Sequence, residues 1–245
     1  MQPTIDWQIA NVKSIKPETA KAKSFTFALP KYIPHKAGQH YDLRLTAADG
    51  YQTQRSYSIA SEPERTGEID ITVERIDEGE VSTYLHDVVI PGDRLEMRGP
   101  IGGYFVWEAA SATKSLLLIA GGSGVVPLMS MLRHRAAQKS KVPASLLYSS
   151  RTPDDVIYRD ELDKLQAMND GLEVFHTFTR SQPPGWTGYA RRIDTDMLKE
   201  VARPLKSPQV FICGPTLLVE AAANGLVQIG VNTKNIRTER FGPTS

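Results

Sequence analysis

The chain has 245 residues, and its 29 Lys and Arg residues nearly balance 28 Asp and Glu residues, for a formal net charge of +1. No global field therefore favours nucleic acid or an anionic membrane, and any charged docking surface is expected to be a local patch. Single hydrophobic cores rarely grow beyond roughly 250 residues, so two domains are the first expectation.

Cysteine content and hydropathy exclude several further classes of protein. Cys213 is the only cysteine, which excludes a disulfide within the chain and a cysteine-ligated iron–sulfur cluster, since that cluster needs about four thiolates. No metal site is predicted. The first residues show no basic region followed by an apolar run, and the longest apolar stretch, residues 116–120, is too short to span a bilayer. We therefore expect a cytoplasmic protein without a transmembrane segment.

Short strands separated by turn residues fill the first half of the chain, from Trp7 to about Trp107. Polar and apolar residues alternate over residues 24–27, 41–45 and 69–73, and Gly and Pro residues lie between these runs. Strands at this spacing predict a small antiparallel barrel or sandwich.

A strand-like stretch in this half carries Arg55, Ser56, Tyr57 and Ser58. Alternation along a strand places Arg55 and Tyr57 on the same face. A guanidinium can bind phosphate oxygens in a fork, a tyrosine ring can cover a flat ligand, and Ser58 can hydrogen-bond its polar edge. The alternative is an ordinary edge strand with polar surface residues.

Gly79, Glu80, Val81 and Ser82 lead into a short predicted helix over residues 83–86, with Ser82 suited to capping it. The first N–H groups of a helix have no partner within it and suit an anion. This stretch is a second candidate phosphate site, although a capped surface helix explains the pattern equally well.

The hydrophobic pattern changes near Ser115. An apolar run over residues 115–120 ends in Gly121, Gly122, Ser123 and Gly124, and an amphipathic helix is predicted from Val125 onward. A buried strand, a glycine turn and a helix open a βαβ unit whose helix amino terminus can hold a pyrophosphate. The turn is not Gly-x-Gly-x-x-Gly, and α/β proteins that bind nothing there also have such turns.

Alternating strands and helices continue to the end of the chain. Strands are predicted at 144–148, 172–178 and 209–213, and helices at 159–168, 194–201 and 217–228. This alternation predicts a parallel sheet covered on both faces, with ligands at the carboxyl ends of its strands. Arg151, Arg180 and Cys213-Gly214 follow successive strands, and Arg192 lies nearby. Each arginine alone is a typical surface charge, but converging guanidiniums favour a phosphate-bearing ligand.

With the motifs Arg55–Ser58, Gly79–Ser82, Gly121–Pro127 and Cys213–Pro215 in this order, the chain resembles the ferredoxin–NADP reductase superfamily over nearly its whole length. The resemblance implies two domains: an antiparallel β-barrel flavin-binding domain over residues 1–110, followed by an α/β parallel-sheet NAD(P)-binding domain over residues 111–245.

The resemblance also implies roles for individual residues. Arg55 is expected at the flavin pyrophosphate, Tyr57 on one face of the isoalloxazine, Ser58 at its reactive edge, and Ser56 in shaping the strand. The other implied flavin contacts are Val73, Glu74 and Arg75 through their backbone, and Gly79, Val81 and Ser82 at the pyrophosphate. The implied nicotinamide contacts are Gly122, Ser123, Gly124, Cys213 and Gly214.

Near the carboxyl terminus, Glu239 and Phe241 look like the family's terminal acidic residue and the aromatic that covers the second flavin face. The chain departs from the plant-type pattern, because the aromatic is Phe rather than Tyr and four residues follow it. A last-strand residue packed in a core is the alternative for Phe241. Ser58, Cys213 and Glu239 are the side chains expected to border hydride transfer.

The resemblance implies a NAD(P)H-dependent flavoprotein oxidoreductase that passes hydride from nicotinamide to FAD and single electrons to an external acceptor. Because the chain has one cysteine, we expect that acceptor to be a separate ferredoxin, flavodoxin or oxygenase component. Reduction of free flavin or a small molecule is the first alternative, and a catalytically silent flavin-binding regulatory subunit is the second.

The choice of each cofactor is also an expectation. FAD is favoured over FMN because most barrels of this family hold the dinucleotide. Arg151, Arg180 and Arg192 match phosphate-binding arginines of NADPH-using relatives, which favours NADPH, whereas Asp154 and Asp155 nearby keep NADH open.

Overall fold

A computed structural model of the chain describes residues 5–242, which form two β-sheets with five α-helices. The first sheet is antiparallel and has six strands in the order β4-β3-β6-β1-β2-β5. These strands are β1 (Gln8–Pro17), β2 (Ala22–Ala28), β3 (His40–Thr46), β4 (Gln52–Ser58), β5 (Glu68–Glu74) and β6 (Arg94–Ile101), with helix α1 (Glu80–Asp87) between β5 and β6.

This sheet curls into a barrel. The two outer strands, β4 and β5, meet where Ile59 bridges Ile71 just beyond the end of β4. Side chains from alternate positions, such as Phe25, Tyr41 and Ile69, fill the interior and are fully buried. The antiparallel barrel expected from the period-two patterning is confirmed, and closure leaves few unpaired strand edges.

Helix α1 begins earlier than the sequence pattern indicated. Gly79 is its N-cap residue, in an extended conformation with no side-chain cap hydrogen bond, so Ser82 lies in the first turn and does not cap the helix. A Cβ at Gly79 would lie 2.5 Å from Ser82 Oγ, so a side chain there would displace the Ser82 hydroxyl. The expectation of a Ser82 cap was wrong.

The second sheet is parallel, with five strands in the order β11-β10-β7-β8-β9. Its strands are β7 (Leu116–Gly121), β8 (Ala144–Ser150), β9 (Leu172–Phe178), β10 (Gln209–Pro215) and β11 (Ile236–Phe241), and its helices are α2 (Val125–Ala137), α3 (Arg159–Ala167), α4 (Thr195–Ala202) and α5 (Thr216–Gln228). Helices α2 and α3 pack on one face and α4 and α5 on the other. The predicted doubly covered parallel sheet is confirmed.

Helix α2 is buried on nearly all sides, since ten of its 13 residues are buried. The helix predicted from Val125 onward is confirmed, but its expected amphipathic character was wrong, because α2 lies between the parallel sheet and the barrel. On the barrel side, Ser130 Oγ donates to Ser61 O at 2.7 Å, and Arg133 Nη1 donates to Ala60 O at 2.8 Å. Both acceptors follow β4 directly, so α2 holds the end of that strand.

The barrel and the α/β layer share one packed seam. Barrel residues including Ala60, Phe105 and Trp107 belong to the same apolar cluster as residues of β7, β8 and α2. Tyr158 at the start of α3 donates its hydroxyl to Thr72 of β5. Strand β6 ends at Ile101 and β7 begins at Leu116, so the division at residues 110 and 111 stays a prediction within this connection. Among residues 5–242, no helix combines the length and the hydropathy that crossing a membrane requires.

Candidate active site

Strand β4 presents its arginine outward and anchors its serine. Arg55 is exposed, and Arg55 Nη1 donates only to the neighbouring Gln54 O, at 2.7 Å; no ion pair of Arg55 is found within residues 5–242. Ser56 Oγ donates to Asp42 Oδ1 at 2.6 Å, and Arg98 Nη2 donates to Asp42 Oδ2 at 2.7 Å. Asp42 therefore fixes β4 through Ser56, while the guanidinium of Arg55 remains available to an anion.

Tyr57 and Ser58 complete this strand. Tyr57 lies opposite Tyr41 in the β3–β4 ladder and is half-buried against the barrel core. Burial raises the pKa of Tyr57 to about 12, so its phenol stays neutral. Ser58 lies opposite His40 and is half-buried at the end of β4. A neutral aromatic surface and a hydroxyl thus follow the arginine along one strand.

The amino terminus of α1 offers backbone donors. The Thr83 N–H reaches back to Gly79 O at 2.9 Å, so the N–H groups of Glu80, Val81 and Ser82 precede the first intrahelical bond. Ser82 Oγ accepts from the Ile76 N–H and donates to Gly79 O, both at 3.2 Å. The hydroxyl therefore shapes the loop, and the anion-binding capacity lies in the amides.

The end of β5 and the residue after it have structural partners for their side chains. Val73 is buried, and its carbonyl lies 2.9 Å from His86 Nε2. The Arg75 guanidinium forms an ion pair with Asp87 at 3.0 Å. The expected backbone contacts of Val73 and Arg75 with the flavin stay a prediction.

The carboxyl ends of β7 and β10 in the parallel sheet pack closely against each other. A Cβ at Gly124 would lie 2.1 Å from Cys213 O, and a Cβ at Gly214 would lie 3.1 Å from Gly121 N. Gly122 has φ +53°, in the left-handed region. The glycines thus allow the turn after β7 to pack directly on the carboxyl end of β10, which brings Gly122, Ser123 and Gly124 beside Cys213 and Gly214.

Cys213 and Glu239 are neighbours in the parallel ladder of β10 and β11. Burial raises the pKa of the Cys213 thiol, and Glu239 adds to this, so the thiol stays protonated and does not act as a nucleophile. Burial also raises the pKa of Glu239 to about 7. No hydrogen bond or ion pair of its carboxylate is found in the described part of the chain. A carboxyl group poised near neutral pH is typical of a functional site.

Phe241, opposite Pro215 at the end of the same ladder, is 37% exposed. It is therefore not a packed core residue, and that alternative was wrong. An exposed ring beside Cys213 and Glu239 is available to cover a flat ligand.

Two of the three arginines predicted to converge, Arg151 and Arg180, lie on neighbouring strand ends, and the convergence of Arg192 with them stays a prediction. The Arg180 N–H donates to Arg151 O at 2.9 Å, which places the two segments side by side. Arg151, Arg180 and Arg192 are exposed, and no side-chain partner is found for them among residues 5–242. Arg191, by contrast, pairs with Asp194 at 2.5 Å. Arg151 and Arg180 thus remain available to a phosphate.

Two residues near the site, Asp42 and Arg133, had no signal in the sequence, and Glu74, which was expected only as a backbone contact of the flavin, has a side-chain contact that the sequence did not indicate. Asp42 holds Ser56, Arg133 holds the end of β4, and the side chain of Glu74 accepts the Ser123 N–H at 3.3 Å. Each contact joins residues from different elements of the fold, and local patterning does not report such pairs.

Comparisons with known proteins agree with this geometry. Residues 9–106 match the oxidoreductase FAD-binding domain family and residues 118–224 the oxidoreductase NAD-binding domain family. A ferredoxin–NADP reductase B of Sorangium cellulosum is 34% identical, and the alignment covers 94% of this chain and 91% of that protein. The chain belongs to the ferredoxin–NADP reductase superfamily and carries the oxidoreductase FAD-binding and NAD-binding domains, which confirms the predicted family and supports FAD and NAD(P)H as its cofactors.

Two further relatives differ in how much of their length is matched. The glycine betaine monooxygenase reductase subunit of Pseudomonas aeruginosa is 31% identical over 93% of this chain, and the chain spans only 62% of that protein. A ferredoxin NADP⁺ reductase structure from Neisseria gonorrhoeae, with bound FAD and NADP, has a TM-score of 0.80 at 23% identity and covers 96% of this chain and 98% of that one. This structural likeness supports the fold.

The hydrogen-bond donors and the aromatic ring described above fit an FAD molecule. Arg55 lacks an acidic partner among the described residues, the first amides of α1 are free of intrahelical bonds, and the neutral ring of Tyr57 lies on the strand of Arg55. A dinucleotide flavin needs donors for two phosphates and an apolar surface for its ring, and these residues supply both.

Proposed function

We propose that this chain is a NAD(P)H-dependent flavoprotein reductase that passes hydride from nicotinamide to FAD and then single electrons to an external acceptor. The observation that carries the proposal is the shared seam: the end of β4 packs on α2, and the turn that starts α2 packs on Cys213. This packing supports placing the residues proposed for the flavin and those proposed for the nicotinamide on the two sides of the seam. Holding two rings in near contact replaces a bimolecular encounter with an effectively unimolecular step.

FAD supplies the chemistry that converts a two-electron hydride donor into single-electron transfers. The side chains of this chain bind and orient: Arg55 and the amides of Glu80, Val81 and Ser82 hold phosphate, and Tyr57 and Phe241 cover ring surface. Ser58 and Cys213 border the transfer as neutral groups. Glu239 holds or releases a proton at its carboxylate near pH 7.

For the acceptor we propose a separate ferredoxin, flavodoxin or oxygenase component. The names of the relatives, a ferredoxin–NADP reductase and a monooxygenase reductase subunit, support this choice. The 245 residues carry one cysteine and cannot ligate an iron–sulfur cluster by themselves. Free flavin or a small quinone-like molecule is the second candidate acceptor.

The test is steady-state oxidation of NADPH and NADH with three acceptors, namely a ferredoxin, a flavodoxin and free FMN, at matched concentrations. We expect fast turnover with a protein acceptor and slow turnover with free FMN. Turnover with free FMN alone would overturn the protein acceptor. Yellow protein that no nicotinamide nucleotide bleaches under anaerobic conditions would instead support the silent regulatory subunit.

We also propose that Arg151, Arg180 and Arg192 select NADPH through its additional phosphate. Arg151→Ala is expected to lower kcat/KM for NADPH about tenfold, since one charge-assisted hydrogen bond contributes roughly 1.5 kcal/mol, and to leave NADH nearly unchanged. Arg203→Ala, which removes an exposed arginine after α4, is the control and should change neither value. Equal losses with both nucleotides would contradict this selectivity.

A further inference from the structure

The side chain of Glu74, the last residue of β5, crosses the seam and lies on the glycine turn. Its Oε2 accepts the Ser123 N–H at 3.3 Å, and the same oxygen lies 3.5 Å from the position of a Cβ on Gly122. Ser123 belongs to the short 3₁₀ turn that leads into α2. A barrel carboxylate thus occupies a backbone donor of the second domain.

The surroundings of Glu74 leave its charge uncompensated by any side chain in the described part of the chain. Its neighbour Arg75 is committed to Asp87 at 3.0 Å and Asp77 at 3.5 Å, and no ion pair of Glu74 is found among residues 5–242. The amide of Ser123, at the positive end of α2, is therefore the partner that holds the carboxylate in place.

The same turn is where our proposed function places the nicotinamide dinucleotide, with its two phosphate charges. The Ser123 N–H is already occupied by the carboxylate, and two negative charges this close repel each other, more strongly near a protein surface than in bulk water. The carboxylate must therefore leave the turn, or remain beside the pyrophosphate at an electrostatic cost.

We propose that Glu74 determines the affinity for the nicotinamide nucleotide, as an acidic latch that occupies the Ser123 amide until NAD(P)H or NAD(P)⁺ displaces it. This inference rests on the proposed function. The latch weakens the binding of oxidised and reduced nucleotide alike, because both carry the same pyrophosphate. Tight retention of the spent nucleotide is thereby avoided, and the turn keeps a partner whenever the nucleotide is absent.

The test compares wild type with Glu74→Gln and Glu74→Ala as flavin-loaded proteins, with the Kd of NADP⁺ and of NAD⁺ measured by calorimetry. Glu74→Gln keeps the size of the side chain and removes its charge, whereas Glu74→Ala removes the contact. Both variants are expected to bind each nucleotide about tenfold more tightly, equivalent to about 1.4 kcal/mol, and KM is expected to fall in parallel. The gain should shrink at high ionic strength, because salt screens the repulsion.

The matched control is Glu173→Gln, which removes the same charge from an exposed position on β9 and should leave both Kd values unchanged. Unchanged or weaker nucleotide binding in both Glu74 variants would overturn the latch. Anaerobic flavin bleaching by NADPH or NADH separates the latch from the proposed function. Bleaching with unaltered Kd values in the Glu74 variants rejects the latch alone. Absence of nucleotide binding in every variant rejects the latch together with the proposed function.

Discussion

Glu239→Gln is expected to remove a pH-dependent loss of stability of about 3 kcal/mol between about pH 4 and about pH 8.5. In the folded protein, burial raises the pKa of Glu239 from an ordinary value of 4.5 to about 7. A difference of one pKa unit between the folded and unfolded states corresponds to about 1.4 kcal/mol. The side chain lies beside the buried Cys213 in the ladder of β10 and β11, so ionisation there costs solvation without a compensating partner.

The direction of the effect follows from proton binding. Below the unfolded pKa of 4.5 both states hold the proton, and the raised pKa has no effect on stability. Between 4.5 and about 7 the folded state holds more protons than the unfolded state, so the free energy of unfolding falls as pH rises. Above about 7 both states are ionised and the full penalty applies.

Urea unfolding of wild type and Glu239→Gln at half-unit pH steps from 4 to about 8.5 would measure this difference. Since the amide does not ionise, the variant is expected to lose less stability across this window and to exceed wild type at high pH. Glu173→Gln, an exposed glutamate on β9, is the control and should follow wild type. Parallel profiles for wild type and Glu239→Gln would contradict the assigned pKa.

Arg55→Ala is expected to weaken FAD binding about 100-fold, equivalent to about 2.8 kcal/mol. Hydrogen bonds between a guanidinium and phosphate are charge-assisted and contribute roughly 1.5–3 kcal/mol. Arg55 is exposed and its side chain donates only to Gln54 O, so its removal leaves no buried partner unsatisfied. The unfolding midpoint of the flavin-free protein should therefore stay unchanged.

Fluorescence titration of flavin-free protein with FAD and with FMN would measure the loss. Because each flavin carries a phosphate, we expect Arg55→Ala to weaken both. Arg94→Ala, an exposed arginine on β6 of the same barrel, provides the control with the same charge change. An equal loss in Arg94→Ala would show that net charge, and not a specific contact of Arg55, sets flavin affinity.

The Arg55 and Glu239 variants change residues on opposite sides of the seam between the barrel and the parallel sheet. Arg55 lies on the barrel strand whose continuation is held by Ser130 and Arg133 of α2, and Glu239 lies on the last strand of the parallel sheet. Glu74 connects the two sides through Ser123. Under the proposed function, hydride transfer depends on how close the flavin and nicotinamide sites lie, and we expect the packing at this seam to determine that distance.

Local sequence patterns predicted the strands in which buried residues recur regularly along the chain. Period-two alternation located β2, β3 and β5, and the apolar run ending in glycines located β7 and its turn. The same local reasoning failed for α2 and Ser82. Helix α2 has Ser130 and Arg133 in its sequence, but its polar side is covered by the barrel. The Ser82 hydroxyl, in the first turn of α1, bonds back to Ile76 and Gly79, which precede the helix.

The sequence by itself determined the barrel, the wound parallel sheet and the candidate phosphate and ring contacts, because strand alternation, glycine turns and helix starts are properties of neighbouring residues. Only the tertiary structure decided that Asp42 anchors Ser56, that Glu239 lies beside Cys213 with a raised pKa, and that Glu74 occupies the amide of Ser123. These are electrostatic contacts between distant parts of the chain, and their strength depends on burial and distance that arise only when the two layers pack together.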